Sequence, residues 1–455
     1  MKKTQTEHLE KMPIGKLIMK FYWPAFVGVI ANSLYNIIDR IFIGQGVGAD
    51  ALSGITSVFP IMIIIMAFGM LIGMGGSVKL SIFLGEKKMD KAEKVLGNVL
   101  LLVFIISILM GILGFAIKQP MLEIFGATET TMNYANDYLN IILYGLVFQM
   151  VGFSMNSAIR SEGNAKIAMY SMLIAAGINI PLDWLFIMKF GWGVKGAAWA
   201  TIISMAVLAL WVLIHFRSKR CVVPLKWSRI KYDPFIVKSI IAIGMAPFFM
   251  QIANSFVQGV YNTQLIKYGG DLAVGAFGII MSVVILIIMS IIALNMASQP
   301  IIGYNYGARN IDRVKQTLKL GMIAATVLAV ISWILLEAFP SPIIRLFNSE
   351  SELLHEYGVT GLRIFIIMLP VVGFQIVISN YFQSVGKAKI AAFLSLLRQV
   401  IVLMPLLFIF PSYWGLNGIW MASPTADLIS AIIASLLMIR EWKKSLSSSK
   451  NSVIN

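Results

Sequence analysis

The chain has 455 residues, of which 58% are hydrophobic and only 13% are charged. Soluble globular proteins carry about 25% charged residues, so an ordinary soluble fold is excluded. Lys and Arg outnumber Asp and Glu by 37 to 21, yet no polar domain is large enough to present the basic face of a nucleic-acid-binding protein. The single cysteine, Cys221, excludes a disulfide framework, and three scattered histidines offer no His-ligated metal site.

Twelve apolar segments follow one another along the chain, each long enough to cross a bilayer core as a helix of about 20 residues. Spans 2 and 8 are long enough to tilt or to extend past the bilayer. The predicted limits are 17–43, 52–84, 95–117, 135–159, 166–189, 193–215, 237–266, 272–303, 317–339, 357–384, 389–410 and 415–440. We therefore predict an all-α integral membrane protein with twelve transmembrane helices.

The distribution of basic residues predicts the orientation of these spans. With the N-terminus inside, 28 of the 37 Lys and Arg residues lie on the cytoplasmic side, five lie outside, and four fall within spans or at their ends. This asymmetry is what the positive-inside rule describes, and it predicts that both termini lie in the cytoplasm. The basic segment 216–231 is interpreted as a topology signal beside anionic lipid.

Internal similarity divides the chain into two halves. Three blocks recur in the same order at an offset of 222 or 223 residues: 84–91 with 306–313, 160–168 with 383–391, and 191–196 with 413–418. Repeats of this kind are typical of transporters. We predict a tail (1–16), a first six-helix lobe (17–215), a basic linker (216–236), a second six-helix lobe (237–440) and a tail (441–455). Because six is even, the lobes should be related by a pseudo-two-fold axis along the membrane normal, with a cleft between them.

Acidic residues inside a membrane are costly and mark candidate functional sites. Asp39, Asp183 and Asp427 are the three that lie away from the span ends. Asp39 maps near Leu265, which follows Tyr261 as Asp39 follows Tyr35. The offset places Asp183 near Pro405 or Leu406, and Asn179 near Ile401 or Val402. The second half therefore lacks the matching polar groups, so a site built from these acids belongs to the first half.

The spacing of these residues predicts one site. Asn32, Asn36 and Asp39 share a face of span 1, and Asn179 and Asp183 share a face of span 5. Counted from the outer ends of their spans, Asp39, Asp183 and Thr201 lie within about 5 Å of the same depth. Three helices could therefore direct oxygen atoms to one point.

Two chemical roles remain open for such a site. Burial and like charge favour the protonated form of carboxyl groups, and the pair would then titrate as a unit. The same oxygens could instead replace the hydration shell of a hard cation such as Na⁺. Pro181, between Asn179 and Asp183, removes a backbone donor and is expected to kink span 5 near the site.

Other polar residues can be interpreted as structural rather than functional. Asn32, Asn36 and Asn156 could simply bond to neighbouring helices, and Arg40 is expected to extend outward from span 1. Asp427 on span 12 and Arg398 on span 11 have nearly matching depths, which predicts a buried ion pair. Met172 and Met205 continue the polar stripes of spans 5 and 6 and could line an adaptable substrate pocket.

Together these residues resemble the multidrug and toxic compound extrusion (MATE) family, most closely its bacterial DNA-damage-inducible branch. The resemblance covers nearly the whole chain. It rests on Asp39, on Asn179-Ile-Pro-Leu-Asp183, on Gly191-Trp-Gly-Val-Lys-Gly-Ala-Ala-Trp-Ala-Thr201, and on Arg160-Ser-Glu-Gly-Asn164. It implies antiport of Na⁺ or H⁺ against organic, mostly cationic drugs, by alternating access. It also implies a cation site at Asp39, Asn179, Asp183 and Thr201.

For the substrate, the resemblance implies contacts at Asn32, Asn156, Met172 and Met205, to which we add Asn36 on the face of Asn32. We expect a monomer in contact with membrane lipids, without cofactor, resident metal or nucleic-acid partner. Two alternative functions make other demands on the sequence. A flippase for a lipid-linked glycan precursor would need cationic groups for pyrophosphate, and a lipid-modifying enzyme would need clustered His, Asp or Cys at one interface. The intramembrane groups of the first half are acidic, which favours cationic cargo over the flippase substrate, and the sequence lacks the cluster that the enzyme would need. We therefore expect a transporter and no catalysis.

Overall fold

The computed structural model describes residues 2–347 and 351–451, and within these ranges the chain is almost wholly helical, with no β-strand. Residues 1 and 452–455 of the two predicted tails lie outside the described residues. The helices are α1 (Lys2–Lys11), α2 (Ile14–Gly46), α3 (Ala49–Gly85), α4 (Met89–Ile124), α5 (Met132–Ser161), α6 (Ala165–Asp183), α7 (Gly193–Arg217), α8 (Pro234–Gly307), α9 (Ile311–Ala338), α10 (Pro340–Phe347), α11 (Glu352–Ile366), α12 (Leu369–Ser384), α13 (Ala388–Leu396) and α14 (Met404–Asn451). Two π-helical segments, Trp184–Lys189 and Leu397–Leu403, continue α6 and α13.

The described helices contain twelve membrane spans. Nine continuous helical segments are long and apolar enough to cross a bilayer, and the bent pair α11–α12 makes a tenth. Helix α8 has 74 residues, which would make a straight helix of about 110 Å against a hydrocarbon core of about 30 Å. It is broken at Gly270, and the segment from α13 to α14 is broken at Gly415, both with positive φ. Glycine adopts positive φ without steric cost, so each of these segments is two spans, and the predicted fold class is confirmed.

The observed helices are longer than the predicted spans. Span 3 was predicted over 95–117, whereas α4 runs over Met89–Ile124. Hydropathy detects the apolar middle of a helix, but the helix continues through polar ends such as Lys91 and Lys118. The predicted N-terminal tail likewise contains a helix, α1, which its polar composition did not indicate.

Contacts divide the described chain into two compact units. Unit 1 contains the residues up to Ile252 together with 296–314 and 384–388, and unit 2 contains 253–295, 315–383 and the residues from Lys389 onward. The two units follow contacts in space, whereas the predicted lobes follow the repeat in the sequence. The lobe boundaries and the axis between the lobes therefore stay a prediction.

Within unit 1, α3 and the end of α8 approach each other through glycines. A Cβ atom added to Gly85 would lie 2.8 Å from the backbone nitrogen of Ala308, and one added to Gly307 would lie 2.9 Å from the carbonyl carbon of Ile82. No larger residue fits at either position without moving the backbone. Small residues at such contacts allow membrane helices to pack closely.

The basic linker is fixed to unit 1 by acidic side chains. The Glu162 carboxylate accepts hydrogen bonds from the backbone nitrogens of Val222 (2.9 Å) and Val223 (3.2 Å). Further along, Arg229 forms an ion pair with Asp90 on α4 at 2.6 Å. The interpretation of segment 216–231 as a lipid-facing topology signal is therefore incomplete, because part of its charge is paired within the protein.

Candidate functional site

The predicted cation ligands lie on three helices of unit 1 that pack against one another: Asp39 on α2, Asn179 and Asp183 on α6, and Thr201 on α7. Asp39 lies seven residues before the end of α2, and Asp183 lies six residues before the end of the π-helical segment. Thr201 lies eight residues after the start of α7. These counts correspond to depths that agree within about 3 Å.

The cluster is buried and rich in polar atoms without partners. All four side chains are buried, and Asp183 is completely inaccessible. Among the described residues, one carboxylate oxygen of Asp39, both of Asp183 and both amide atoms of Asn179 have no hydrogen-bond partner. The Asp183 carboxyl lies within electrostatic range of the Asp39 carboxyl. Buried polar groups are normally paired, so this arrangement is suited to bind a small cation or protons.

Arg40 does not neutralise the acidic pair. Its charge acts on Asp39, but its guanidinium carbon lies 4.7 Å from the centre of the Phe59 ring, and the side chain is exposed. This cation–π contact agrees with the outward direction expected from the sequence. Within the described part of the chain, no salt bridge offsets the two carboxyl groups.

Two tyrosines belong to the site, although the sequence analysis did not select them. Tyr138 on α5 is buried, lies within hydrogen-bonding reach of Thr201, and is in electrostatic range of Asp39 and Asp183. Tyr35 on α2 is near the same two acids. The i, i+4 spacing of Tyr35 and Asp39 was an available signal, as was the position of Tyr138 six residues into α5, at a matching depth.

The helix that carries Asp183 changes its geometry at the site. Helix α6 continues through Pro181 and becomes π-helical at Trp184, directly after Asp183. Proline cannot donate the backbone hydrogen bond of its turn, and π-helical turns are frequent at functional sites. The predicted distortion of span 5 is thus seen as a change of helix type within an otherwise continuous span.

The predicted substrate residues fall into different environments. Asn32 and Asn36 are exposed on α2, and the Asn36 amide donates to the Asn32 carbonyl oxygen at 2.7 Å. Met172 is half-buried against Gly28 of α2. Met205 is buried on α7, one turn after Thr201. These four residues share helices α2, α6 and α7 with the cation ligands.

The structure separates Asn156 from the other candidates. It lies 18 residues after Tyr138 on α5, about 27 Å further along the helix. Its amide nitrogen donates to the Ala168 carbonyl (2.8 Å) and to the Ser171 hydroxyl (2.7 Å), and its oxygen accepts from Arg160. Because every polar atom of the amide is engaged, the structure favours the helix-tethering interpretation.

Comparison with known proteins identifies the family. The MatE family model matches residues 24–185 and 247–409, one match in each half of the chain. The chain belongs to the MatE family. A curated relative, the multidrug export protein MepA of Staphylococcus haemolyticus (strain JCSC1435), is 28% identical over 439 residues, and the match covers 96% of both chains.

Solved MATE structures are similar over almost the whole chain. The MATE multidrug transporter DinF-BH, whose structure was solved as a complex, is 37% identical with a TM-score of 0.88, covering 95% of this chain and 96% of its own. A MATE structure in a bent conformation is 25% identical with a TM-score of 0.91, covering 96% and 98%. The predicted resemblance is confirmed, and the chain is classed with multi-pass multidrug efflux transporters of the MATE type.

The second half of this MATE chain is apolar where the first half is acidic. Leu265, which corresponds to Asp39, is completely buried in the apolar core of unit 2, and Val402 and Leu406 pack against the same core. Arg398 and Asp427 form an ion pair within unit 2. No group of three or more His, Cys, Asp or Glu side chains suited to a resident metal occurs among the residues that the structure describes.

Proposed function

We propose that this protein is an antiporter that exports organic cations in exchange for Na⁺ or H⁺, with Asp39, Asn179, Asp183 and Thr201 as the coupling site. The observation that carries the proposal is the buried group of unpartnered oxygens in unit 1. Their negative charge is uncompensated by any salt bridge in the described residues, so a cation or protons would offset the cost of burying it.

The coupling ion acts through the same helices that carry the substrate candidates. Met172 and Asn179 lie on α6, and Met205 and Thr201 lie on α7. Binding of an ion at the acidic pair therefore favours one arrangement of these helices over another, and a substrate held by them responds to that preference. The π-helical segment after Asp183 is the element at which we expect α6 to bend. A relative in a bent conformation supports such flexibility in the family.

The carboxyl groups of the site also favour a cationic substrate. The site in unit 1 presents carboxyl groups where a pyrophosphate-carrying lipid would need cationic ones, which weighs against the flippase alternative. The relatives agree with small organic substrates, because MepA is a multidrug export protein and DinF-BH is a multidrug transporter. We further propose a monomer in the bacterial inner membrane, with both termini in the cytoplasm.

The test uses the full chain reconstituted in liposomes loaded with ethidium. A Na⁺ gradient and an H⁺ gradient are imposed in turn, and ethidium movement is followed by fluorescence. We expect one gradient to drive transport and Asp183→Asn to abolish it, whereas Asp50→Asn, at an exposed acid of α3, leaves it unchanged. Transport that persists in Asp183→Asn, or that needs neither gradient, contradicts the proposal.

A further inference from the structure

A cavity lies in unit 1, at the predicted cytoplasmic end of α2. It has a volume of about 190 Å³ and is formed by three separate parts of the chain. Helix α1 contributes His8, the first turns of α2 contribute Lys20 and Phe21, and the turn from α5 to α6 contributes residues 163–167. The proposed transport function uses none of these residues.

The cavity concentrates positive charge. Lys20 and Lys166 both line it, and the ammonium group of Lys166 is the charge that acts on Lys20, by repulsion. No acidic side chain is among the lining residues. Two like charges at one cavity repel each other, and an anion bound between them would relieve this repulsion.

Acidic residues that adjoin the cavity in sequence have other neighbours. Glu7 and Glu10 on α1 lie in electrostatic range of Tyr304, and Glu10 also lies in range of Arg313. Glu162, which precedes the cavity-lining Gly163, is completely buried. Its carboxylate is bonded to His215, to the Asn164 amide and to two backbone nitrogens of the linker.

Backbone groups add to the positive potential. Helix α6 begins at Ala165, and the Ile167 and Ala168 amides donate to the Asn164 carbonyl oxygen, which leaves the Ala165 and Lys166 amides without a backbone acceptor among the described residues. Such amides and the helix dipole favour an anion at this end. Together with the two ammonium groups, they form a set of donors suited to phosphate oxygens.

The surface beside the cavity is suited to lipid. Met19 and Trp23 flank Lys20 on α2 and are 51% and 54% exposed. Trp23 also stacks edge-on with Tyr22 and Phe26, and exposed tryptophans of this kind are enriched at the membrane–water interface. Acyl chains could therefore lie along this face of α2 while a headgroup occupies the cavity.

We propose that this cavity binds a phosphate group and that its source is the headgroup of an anionic phospholipid of the cytoplasmic leaflet. Lys20 and Lys166 supply charge, the amides at the start of α6 supply directed donors, and Met19 and Trp23 contact the acyl chains. The site connects α1, α2 and the α5–α6 turn, so an occupied site would hold these three elements together.

The experiment measures lipid binding to the detergent-purified full chain by native mass spectrometry. Phosphatidylglycerol is compared with phosphatidylcholine of the same acyl chains, and inorganic phosphate is added in a separate arm. We expect preferential binding of phosphatidylglycerol. Each lysine near a membrane surface contributes about a fivefold change in affinity, so Lys166→Gln should weaken binding about fivefold and Lys20→Gln/Lys166→Gln about 25-fold.

The matched control removes the same charge elsewhere. Lys219→Gln/Lys238→Gln alters two exposed lysines outside the cavity, and we expect its affinity to stay within about twofold of the unaltered protein. Lys20→Arg/Lys166→Arg keeps the charge and should retain binding. Exposed Lys166 keeps the test valid if the Lys20 variants do not fold.

Two outcomes overturn the proposal. Equal weakening by the cavity and control variants would show general attraction of lipid to basic surface. Lysine-dependent binding of inorganic phosphate without selective binding of phosphatidylglycerol would assign the cavity to a free phosphate and reject the lipid source.

Discussion

Asp39 on α2 and Asp183 on α6 lie within electrostatic range of each other in the buried interior of unit 1. Neither forms a salt bridge among the described residues, and Asp183 has both oxygens without a partner. Two carboxyl groups so close cannot both stay charged without a bound cation, except at high cost. The pair is therefore expected to behave as one functional unit.

The first prediction concerns the joint action of Asp39 and Asp183. Asp39→Asn and Asp183→Asn should each reduce ion-driven ethidium efflux at least about tenfold, and the double variant should be no worse than either single one, because residues that act together are non-additive. Thermal unfolding should show a melting temperature equal to or above that of the unaltered protein, since a buried charge has been removed. If the reductions in efflux of the two single variants multiply in the double variant, the two carboxyl groups have independent roles.

The second prediction concerns the glycine contact between α3 and α8. Gly85→Ala places a methyl group against the backbone of Ala308, and overpacking of this kind costs about 1–3 kcal/mol. We expect a lower melting temperature and slower efflux. Gly111→Ala on α4, where an added Cβ meets no atom within 4 Å, is the matched control and should leave both unchanged. Equal melting temperatures for the two variants would contradict the close contact.

The third prediction concerns the ion pair between Arg398 and Asp427. Asp427→Leu leaves a largely buried arginine without its partner and should destabilise the protein by about 3 kcal/mol. The double variant Arg398→Met/Asp427→Leu should recover most of this loss, because neither charge remains. Lys195→Met, which breaks an exposed pair with Asp137, should cost less than about 1 kcal/mol. Thermal unfolding of the unaltered protein, of the single variants Asp427→Leu and Arg398→Met and of the double variant measures the coupling, and additive effects would argue against a pair.

The fourth prediction concerns the attachment of the linker by Glu162. Glu162→Gln removes the charge that accepts the backbone nitrogens of Val222 and Val223. Loss of charge-assisted hydrogen bonds should increase tryptic cleavage after the exposed Lys219 and Arg220 about tenfold. Glu86→Gln, whose ion pair with Lys88 is local, serves as the control. Unchanged cleavage rates in Glu162→Gln would mean that other contacts hold the linker.

The fifth prediction separates a substrate contact from a structural one. Met205→Ala should change the KM for ethidium. The melting temperature of the detergent-solubilised protein should fall only by the amount expected for the cavity that the shortened side chain leaves. Asn156→Ala should instead lower the melting temperature by an amount equivalent to about 1–3 kcal/mol, because it leaves Arg160 and two α6 groups without their partner. A changed KM with unchanged stability in Asn156→Ala would restore its predicted role in substrate binding.

The sequence was sufficient for features governed by fixed helix geometry. The rise per residue places Asp39, Asp183 and Thr201 at one depth from span limits alone, and the structure brings their helices together. The four-residue spacing shared by Tyr35–Asp39 and Tyr261–Leu265 also predicted an apolar residue in the place of Asp39, and the structure buries Leu265 in an apolar core. The roles of these residues in coupling stay a prediction.

Features that depend on contacts between residues distant in sequence could not be predicted from helix geometry. The depth of Tyr138 could be counted from its span, but its contact with Thr201 depends on the packing of α5 against α7, which its own segment does not indicate. The ion pair of Arg229 with Asp90 joins residues 139 positions apart, so the sequence alone did not indicate that charge of the linker is paired within the protein. The π-helical turn after Asp183 is likewise a local change of hydrogen bonding that hydropathy does not detect.

The contact between α3 and α8 is made by equivalent residues of the two halves. Gly85 meets Tyr304 and Gly307 meets Ile82, and 85 and 307, like 82 and 304, differ by the 222 residues that separate the repeats. A contact in which each partner presents the same patch is isologous, as in a symmetric homodimer. It follows that two identical six-helix chains could have formed this same contact, before gene duplication and fusion joined them into one polypeptide.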